Sequence, residues 1–158
     1  MLWNSFWGKV LMTLVVAMVP VVELRGAIPI ATAHGLDPMI AIPVAVVGNL
    51  IPVPFIILFI RRIFGWMEVH MPKLGGLVCA LRRRADEKAD VVLKYAFWGL
   101  VILVAIPLPG TGAWTGALVA ATLNMRLKKA FPAIALGVII AGIIVSIVTY
   151  GALSIFFS

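Results

Sequence analysis

The stretch MIAIPVAVVGNLIPVPFIILFI, Met39–Ile60, runs for 22 residues without a charged side chain. As a helix it would be about 33 Å long, which is enough to cross a hydrocarbon core of about 30 Å. Ala130–Phe157 is also uncharged, and it is long enough to cross with some tilt. The two stretches predict two membrane-spanning helices, and with them an all-α integral membrane protein.

The composition of the chain agrees with this class. Of its 158 residues, 63% are hydrophobic and 12% are charged, whereas soluble domains average about 45–50% and about 25%. The net charge is +7, and most of the basic residues lie between positions 61 and 94, as expected of a cytoplasmic loop beside membrane spans. We therefore expect no nucleic-acid partner, and we treat 1–158 as a single multi-pass domain of the cell (inner or plasma) membrane.

Two further apolar stretches are too short to cross the bilayer, and each ends in a motif that breaks a helix. Val10–Val22 runs into PVVELRGAIP, residues 20–29, and Tyr95–Ile106 runs into PLPGTGAWTG, residues 107–116. A short apolar piece follows each motif. This order predicts a re-entrant hairpin, whose broken backbone must be covered by protein or line a watery cavity. For the N-terminal helix, full spanning remains the open alternative.

The two halves of the chain read as copies of one unit. Ala41–Gly48, AIPVAVVG, aligns with Ala130–Gly137, AFPAIALG, at one constant offset, and a breaking motif precedes each. A hairpin plus a span crosses the membrane an odd number of times, so the second copy should be inverted, as in many secondary transporters. The predicted units are repeat one at about 10–60, a basic connector at 61–94 and repeat two at about 95–157.

The distribution of basic residues predicts the orientation. With the connector in the cytoplasm, Arg126, Lys128 and Lys129 also lie inside, as the positive-inside rule requires. The first hairpin then opens outward, with Lys9 as the basic residue on that side. Within the connector, Leu77–Lys94 has apolar residues at helical spacing, which predicts an amphipathic helix on the inner headgroups.

Glu23 and Arg25 are the strongest candidates for function. An isolated charge at membrane depth costs about 2.5–3.5 kcal/mol or more, so both side chains need partners. On a regular helix residues two apart do not face each other, and we expect an unwound turn around Gly26 to let them meet. Intramembrane charges are usually functional; the alternative is a structural ion pair that pins the hairpin.

Helix N-termini are expected to complete an anion site. One short helix is predicted to begin at Ala27, just after Gly26, and another after the second motif, with Thr111 or Thr115 as N-cap. Each N-terminus carries roughly half a positive charge and unpaired N–H groups. Together with Arg25, two such ends near the midplane would bind an anionic group.

The remaining polar residues complete the candidate site. Glu23 is predicted to be the proton-linked carboxylate, because burial disfavours its charged form while the neighbouring Arg25 favours it. Asn49 either lines the pathway or hydrogen-bonds a neighbouring helix, and Trp114 is expected to pack. The candidate substrate and proton site consists of Glu23, Arg25, Gly26, Asn49, Pro107, Pro109, Gly110, Thr111, Gly112 and Thr115.

Other chemistry is not indicated. His34 with Asp37, and Glu68 with His70, each lack the third ligand that a metal site needs, so no metal or other cofactor is expected. Cys79 is the only cysteine, which excludes an intrachain disulfide. Because no nucleophile and base occur together in a motif, we expect no enzymatic activity.

The chain resembles the small multi-drug export protein family at ELRGAIP, residues 23–29, and PLPGTGAWTG, residues 107–116. That family is similar in layout to the DedA (VTT-domain) superfamily, and the resemblance covers nearly the whole chain. It implies two re-entrant hairpins and a transport role. The DedA likeness also implies translocation of lipid phosphates such as undecaprenyl phosphate, through an acid and arginines in the hairpin motifs. Glu23 and Arg25 match the first motif, whereas the second carries no charge and only Arg126 follows it.

These observations predict a small proton-linked secondary exporter that moves an amphipathic or lipid-like anionic substrate through a midplane site. The alternatives are a lipid-phosphate flippase and a non-transporting membrane scaffold. The expected partners are membrane lipids and further copies of the chain, because two spans cannot cover two hairpins on all sides. Small residues at helical spacing would form the contact of a homodimer or higher homo-oligomer, unless they pack within one chain. These residues are Ala133, Gly137, Ala141, Gly142 and Ser146.

Overall fold

The computed structural model describes residues 4–70, 76, 89–108 and 111–156. These residues form helices joined by turns, with no strand among them. Part of the predicted amphipathic helix, residues 77–88 with Cys79, lies outside the described residues. So do the predicted site residues Pro109 and Gly110.

The described helices follow one another in a simple order. Asp37 caps one of them, because its Oδ1 accepts a hydrogen bond from Met39 N at 2.8 Å. Pro107 follows shortly after another, where a residue without an N–H cannot continue the helix. The helices are α1 (Phe6–Met18), α2 (Glu23–Ala33), α3 (Pro38–Leu50), α4 (Pro52–His70), α5 (Ala89–Ala105), α6 (Ala113–Thr122) and α7 (Leu127–Phe156).

Two helical stretches are long and apolar enough to cross a membrane. They are Pro38–Ile63 and Leu127–Ala152, each of 26 residues. The first joins α3 to α4 through Ile51, whose backbone stays α-helical at φ −55° and ψ −48°. Pro52, without an N–H, follows directly at this junction. Both predicted stretches are confirmed as long apolar helices, the first over all its predicted length and the second as far as Phe156.

The helices that flank the two breaking motifs are shorter. α1 has 13 residues and α6 has 10, so they are about 20 Å and about 15 Å long at the usual helical rise. α1 packs against α2, and α5 packs against α6. Each break in the helical chain, between α1 and α2 and between α5 and α6, therefore lies between two helices that contact each other, while most of the first motif is part of α2.

The helix boundaries repeat along the chain. Ala41 and Ala130 are 89 residues apart, and the same offset relates Pro38 at the start of α3 to Leu127 at the start of α7. It also relates α2 to residues 112–122, which are α6 with its N-cap. Left-handed backbone follows the same offset, at Glu23 and Gly112 and again at Gly35 and Asn124.

The packing of the helices repeats as well. α1 and α2 contact α3, as α5 and α6 contact α7, while α4 contacts α6 and α7 contacts α2. Each half of the chain thus places its long helix against the second short helix of the other half. Two side-chain contacts accompany this exchange. Arg61 Nη2 donates to Asn124 Oδ1 at 2.6 Å, and the hydroxyl groups of Tyr150 and Thr32 are 3.1 Å apart.

The small residues of α7 are buried inside the chain. A Cβ atom added to Gly137 would lie 2.9 Å from the carbonyl oxygen of Val101 in α5, and one added to Gly142 would meet side chains of α3. Ala133 and Ala141 are also buried. The expectation that this stripe forms an oligomer contact was wrong, because these residues allow α7 to approach its neighbours within one chain.

Candidate functional site

The two breaks between short helices lie together around a cavity of about 530 Å³. One wall is the turn from α1 to α2, and the other is formed by residues on both sides of the α5–α6 break. Most of the lining is apolar, with a carboxylate, a guanidinium and two hydroxyl groups among it. The lining residues are Pro20, Val21, Val22, Glu23, Arg25, Gly26, Pro107, Thr111 and Thr115.

The Glu23 carboxylate caps the N-terminus of α6. Its Oε1 accepts a hydrogen bond from Trp114 N at 3.2 Å, and it also lies against the backbone N–H of Ala113. The N-cap residue of α6 is Gly112, which has no side chain for this purpose. A carboxylate from another helix therefore does what an N-cap side chain normally does, at the positive end of the helix dipole.

The backbone holds Glu23 in this position. Glu23 has φ 49°, a left-handed conformation that is uncommon for residues other than glycine. Its side chain is 4% exposed. On the opposite side of the contact, Gly112 has φ 135°, and a Cβ atom there would lie 2.6 Å from Glu23 Cδ. Glycine at 112 is thus needed both for its own backbone and for the approach of the carboxylate.

The Arg25 guanidinium binds the segment that follows α5. Nη2 donates to Ile106 O at 3.2 Å and to Thr111 Oγ1 at 2.9 Å, and Nη1 donates to Leu108 O. The Thr111 hydroxyl donates to one of these two carbonyl oxygens, which lie 2.7 and 2.8 Å from it. Arg25 thereby brings its charge to backbone carbonyls near the negative end of the α5 dipole.

Trp114 makes a third connection between the two breaks. Its indole Nε1–H donates to Met18 O, the last residue of α1, at 3.1 Å. Its backbone N–H binds Glu23. Trp114, which was expected only to pack, is therefore hydrogen-bonded through both its backbone N–H and its indole N–H. It joins the start of α6 to the end of α1.

Some polar atoms beside these contacts are unsatisfied. Asn49 is 1% exposed, and its amide interacts with the Glu23 carboxylate, but neither its Oδ1 nor its Nδ2 makes a hydrogen bond of normal length. Arg25 Nε is also buried without a partner. Buried polar atoms of this kind call for an explanation such as a bound ligand or water. The described residues contain no group of three His, Cys, Asp or Glu side chains that could hold a metal ion.

A second cavity, of about 370 Å³, adjoins the first. Arg25 and Pro107 line both cavities, so these two residues lie between them. The other lining residues of the second cavity are apolar except for one hydroxyl group. They are Pro29, Val145, Val148 and Thr149.

The geometry corrects two expectations about the helix ends. α2 begins at Glu23 instead of Ala27, so Gly26 lies inside the helix and Gly26 N donates to Val22 O. Neither Thr111 nor Thr115 caps α6, because the Thr111 hydroxyl is used near α5 and Thr115 is inside the helix. The first N–H groups of α6, which were expected to bind an anionic substrate, are bound by the Glu23 carboxylate in this structure.

The structure brings most of the predicted residues together. Glu23 and Arg25 contact opposite sides of the α5–α6 break instead of pairing with each other. Sequence reasoning missed Trp114 and the carbonyl groups of Ile106 and Leu108, since a backbone acceptor has no signal in the sequence. The predicted residues on the first cavity are Glu23, Arg25, Gly26, Pro107, Thr111 and Thr115, with Gly112 and Asn49 directly behind it.

The fold and the site together define a membrane protein. Its two long helices are apolar, large apolar side chains such as Phe55 and Ile147 are 69 and 67% exposed, and two charged groups lie between helix ends. Comparison with protein families gives the finer class. The chain belongs to the family described as "Putative small multi-drug export protein", whose profile matches residues 23–144. Searches of curated proteins and of solved structures return no match.

Proposed function

We propose that the chain is a proton-linked secondary transporter that moves an amphipathic, anionic substrate through the cavity between two re-entrant hairpins. The observation that carries this proposal is the binding of Glu23 to α6 and of Arg25 to the end of α5. Charges in the bilayer core need partners, and here the partners come from the other half of the chain. A movement of one half relative to the other therefore changes the surroundings of both charges at once.

The repeated boundaries and contacts support an inverted repeat. Each half supplies a pair of short helices and one span, which is an odd number of crossings if the pair enters and leaves on one side. With residues 61–94 in the cytoplasm, Lys128 and Lys129 at the start of α7 lie on the same side, as the positive-inside rule requires. The α1–α2 pair then opens outward and the α5–α6 pair opens to the cytoplasm, with both breaks near the midplane.

Two polar contacts at opposite ends of the molecule support alternating access. We name the Arg61–Asn124 contact the inner latch and the Tyr150–Thr32 contact the outer latch. Arg61 and Tyr150 are related by the offset of 89 residues. The outer latch ties the span of the second half to α2, and the inner latch ties α4 to the turn that follows α6. Opening toward one side requires the latch on that side to break, while the other latch holds.

The lining of the first cavity supports an amphipathic anion as substrate. Pro20 and Val21 offer apolar contact for a tail, and Arg25 offers the positive charge of its guanidinium for an anionic headgroup. Val21 is 92% exposed, so this side of the cavity is open at the proposed membrane depth. A lipid phosphate meets the same requirements, and the flippase alternative is a special case of this site.

We also propose that the protein works as a homo-oligomer. The α1–α2 turn beside the cavity is exposed at Val19, Pro20 and Val21. Broken backbone at membrane depth requires cover by protein, which a second copy can supply at this turn instead of at the buried stripe of α7. Native mass spectrometry from nanodiscs would count the chains, and an active single chain would contradict the proposal.

The transport proposal is tested by proton flux in liposomes. Decanesulfonate is a suitable amphipathic probe, because a sulfonate stays ionised and cannot itself carry protons across a bilayer. Adding it outside vesicles that contain a pH dye should change the luminal pH only when the protein is present. Glu23→Gln and Arg25→Ala should each reduce the rate at least about tenfold, the effect of about 1.4 kcal/mol, while both variants still insert and fold.

Arg62→Ala provides the matched control, since Arg62 is exposed and lies outside both cavities beside Arg25. Full flux in both site variants would show that the site assignment is wrong. If the two variants fail to accumulate while Arg62→Ala accumulates normally, Glu23 and Arg25 are structural residues. If no protein-dependent flux occurs at all, the scaffold alternative is favoured.

A further inference from the structure

The Glu23 carboxylate lies where an anionic ligand of a helix terminus would bind. It accepts the hydrogen bond of Trp114 N and lies against the N–H of Ala113, the first N–H groups of a helix of 10 residues. A helix N-terminus favours anions through these groups and through its dipole. In this protein, however, the anion at the terminus belongs to α2 and not to α6 itself.

A second observation points to a ligand at the same place. Asn49, on α3, interacts with the Glu23 carboxylate, but neither polar atom of its amide makes a hydrogen bond of normal length, although the residue is 1% exposed. A buried amide left without hydrogen bonds costs about 1–3 kcal/mol. A group that occupies the N-terminus of α6 in place of Glu23 could accept a hydrogen bond from Asn49 Nδ2, and this would remove part of the cost.

We propose that the Glu23 carboxylate is a built-in substitute for the anionic group of the substrate at the N-terminus of α6, so that the substrate binds there only when Glu23 has taken up a proton. This inference rests on the proposed function and adds its coupling rule. One proton passes from water to the Glu23 carboxylate. The neutral side chain releases the N–H groups of Ala113 and Trp114, and the substrate anion accepts their hydrogen bonds beside Asn49.

The charges around Glu23 suit such an exchange. Among the described residues, Arg25 is the charged side chain that acts electrostatically on Glu23. The charged residues of the neighbouring helices, Lys9 in α1 and Lys128 and Lys129 in α7, are not among the groups that act on it. From α3 the neighbour is the neutral Asn49, and from α6 the neighbours are the N–H groups of Ala113 and Trp114. After Glu23 has become neutral, the charge of the bound anion balances the charge of Arg25. The site then carries no net charge.

The proposal fixes the sign of coupling between proton and substrate. If protonation of Glu23 promotes anion binding, anion binding must promote protonation of Glu23 to the same extent. Proton and anion then bind together and travel in the same direction. An inward proton gradient would carry the anion inward, which differs from the proton-linked exporter predicted from the sequence, because export driven by that gradient needs proton and substrate to exclude each other. Whether anion binding is accompanied by proton uptake or by proton release can therefore be measured by binding alone, without an assay of transport.

The test measures binding of decanesulfonate to the protein in phosphatidylcholine nanodiscs, with empty nanodiscs to correct for partitioning. The charge of this probe is constant over the pH range used. For the wild type, we expect the dissociation constant to rise by about tenfold per pH unit once Glu23 is ionised, as required for competition with one group. Glu23→Gln should bind the probe at high pH as tightly as the wild type binds it at low pH.

A second measurement needs no variant. Adding decanesulfonate to wild-type nanodiscs in weak buffer with a pH indicator should cause uptake of up to about one proton per bound probe.

A third measurement tests Asn49. Asn49→Leu should bind the probe at least about fivefold more weakly, because Asn49 Nδ2 is lost. Its thermal stability should not fall, because the buried amide without a normal hydrogen bond is lost as well.

The outcomes separate this inference from the proposed function. Binding without proton uptake, or with proton release, would overturn the coupling rule while leaving an anion site in place. Equal dissociation constants at all pH values in the wild type would overturn it too. If neither the wild type nor Glu23→Gln binds the probe, while decyltrimethylammonium binds, the anionic substrate class itself is wrong.

Discussion

At the scale of single residues, Gly112 is the position where a small change should have the largest effect. Gly112→Ala places a Cβ atom against the Glu23 carboxylate and requires φ 135° of a residue that disfavours it. We expect a loss of stability of roughly 1–3 kcal/mol from the backbone alone. We also expect decanesulfonate-driven proton flux to fall with it, since Glu23 can no longer cap α6.

Gly99→Ala is the matched control for this prediction. Gly99 lies in α5, and an added Cβ atom would meet nothing within 4 Å. Alanine in a helix interior is favoured over glycine by about 0.5–1 kcal/mol, so this variant should be as stable as the wild type or slightly more stable. Thermal unfolding in detergent and flux in liposomes measure both variants. Equal behaviour of the two would show that the Glu23–Gly112 contact has no importance.

Local residue chemistry also explains what could be read from the sequence. The costs of Glu23 and Arg25 at membrane depth follow from their types, so their need for partners was predictable. The partners were not, because they are mainly backbone groups of a distant segment. The predicted start at Ala27 is wrong: proline is tolerated in the first turn of a helix, so Pro29 suggests a start close to it, whereas α2 begins at Glu23 and contains Pro29.

At the scale of helices, the two latches should control access from opposite sides. Arg61→Ala removes the hydrogen bonds of a charged group, each worth about 1.5–3 kcal/mol, and should open the inner side about tenfold or more. Tyr150→Phe removes a neutral bond worth about 1 kcal/mol and should open the outer side about fivefold. The measurement is the labelling rate of Thr115→Cys, on the first cavity, in a Cys79→Ala background.

Labelling from the cytoplasmic face should accelerate in the Arg61 variant, and labelling from the outside should accelerate in the Tyr150 variant. Arg62→Ala is the control, because it removes the neighbouring exposed cation and keeps the inner latch. Acceleration on the same side in both variants would contradict the assignment of the latches.

The helices differ in how well the sequence predicts them. The spans and breaks were predictable, because uncharged length and proline act within one segment. The cap of α6 was not, since a carboxylate from α2 supplies it and Gly112 gives no sign of this. The burial of Gly137 against α5 was not predictable either, because small residues serve contacts within and between chains equally well.

At the scale of the whole molecule, the inverted repeat makes a paired prediction. Met39 and Lys128 are related by the offset of 89 residues, and both are exposed near the start of a span. With Cys79 replaced by alanine, an impermeant thiol reagent should label Met39→Cys in intact cells and leave Lys128→Cys unlabelled. Inverted vesicles should give the opposite pattern. Labelling of both positions from one side would mean that the repeats run in parallel.

The exchange between Glu23 and a substrate anion has a consequence for the electrical properties of transport. Without substrate, the negative Glu23 and the positive Arg25 sum to zero. With a proton and a singly charged anion bound, a neutral Glu23, a positive Arg25 and the anion again sum to zero. A membrane potential contributes about 2.3 kcal/mol per elementary charge per 100 mV, but only to charge that moves. Neither form of the site moves net charge, so the voltage across the membrane would do no work on the cycle, and the concentration gradients alone would set its direction.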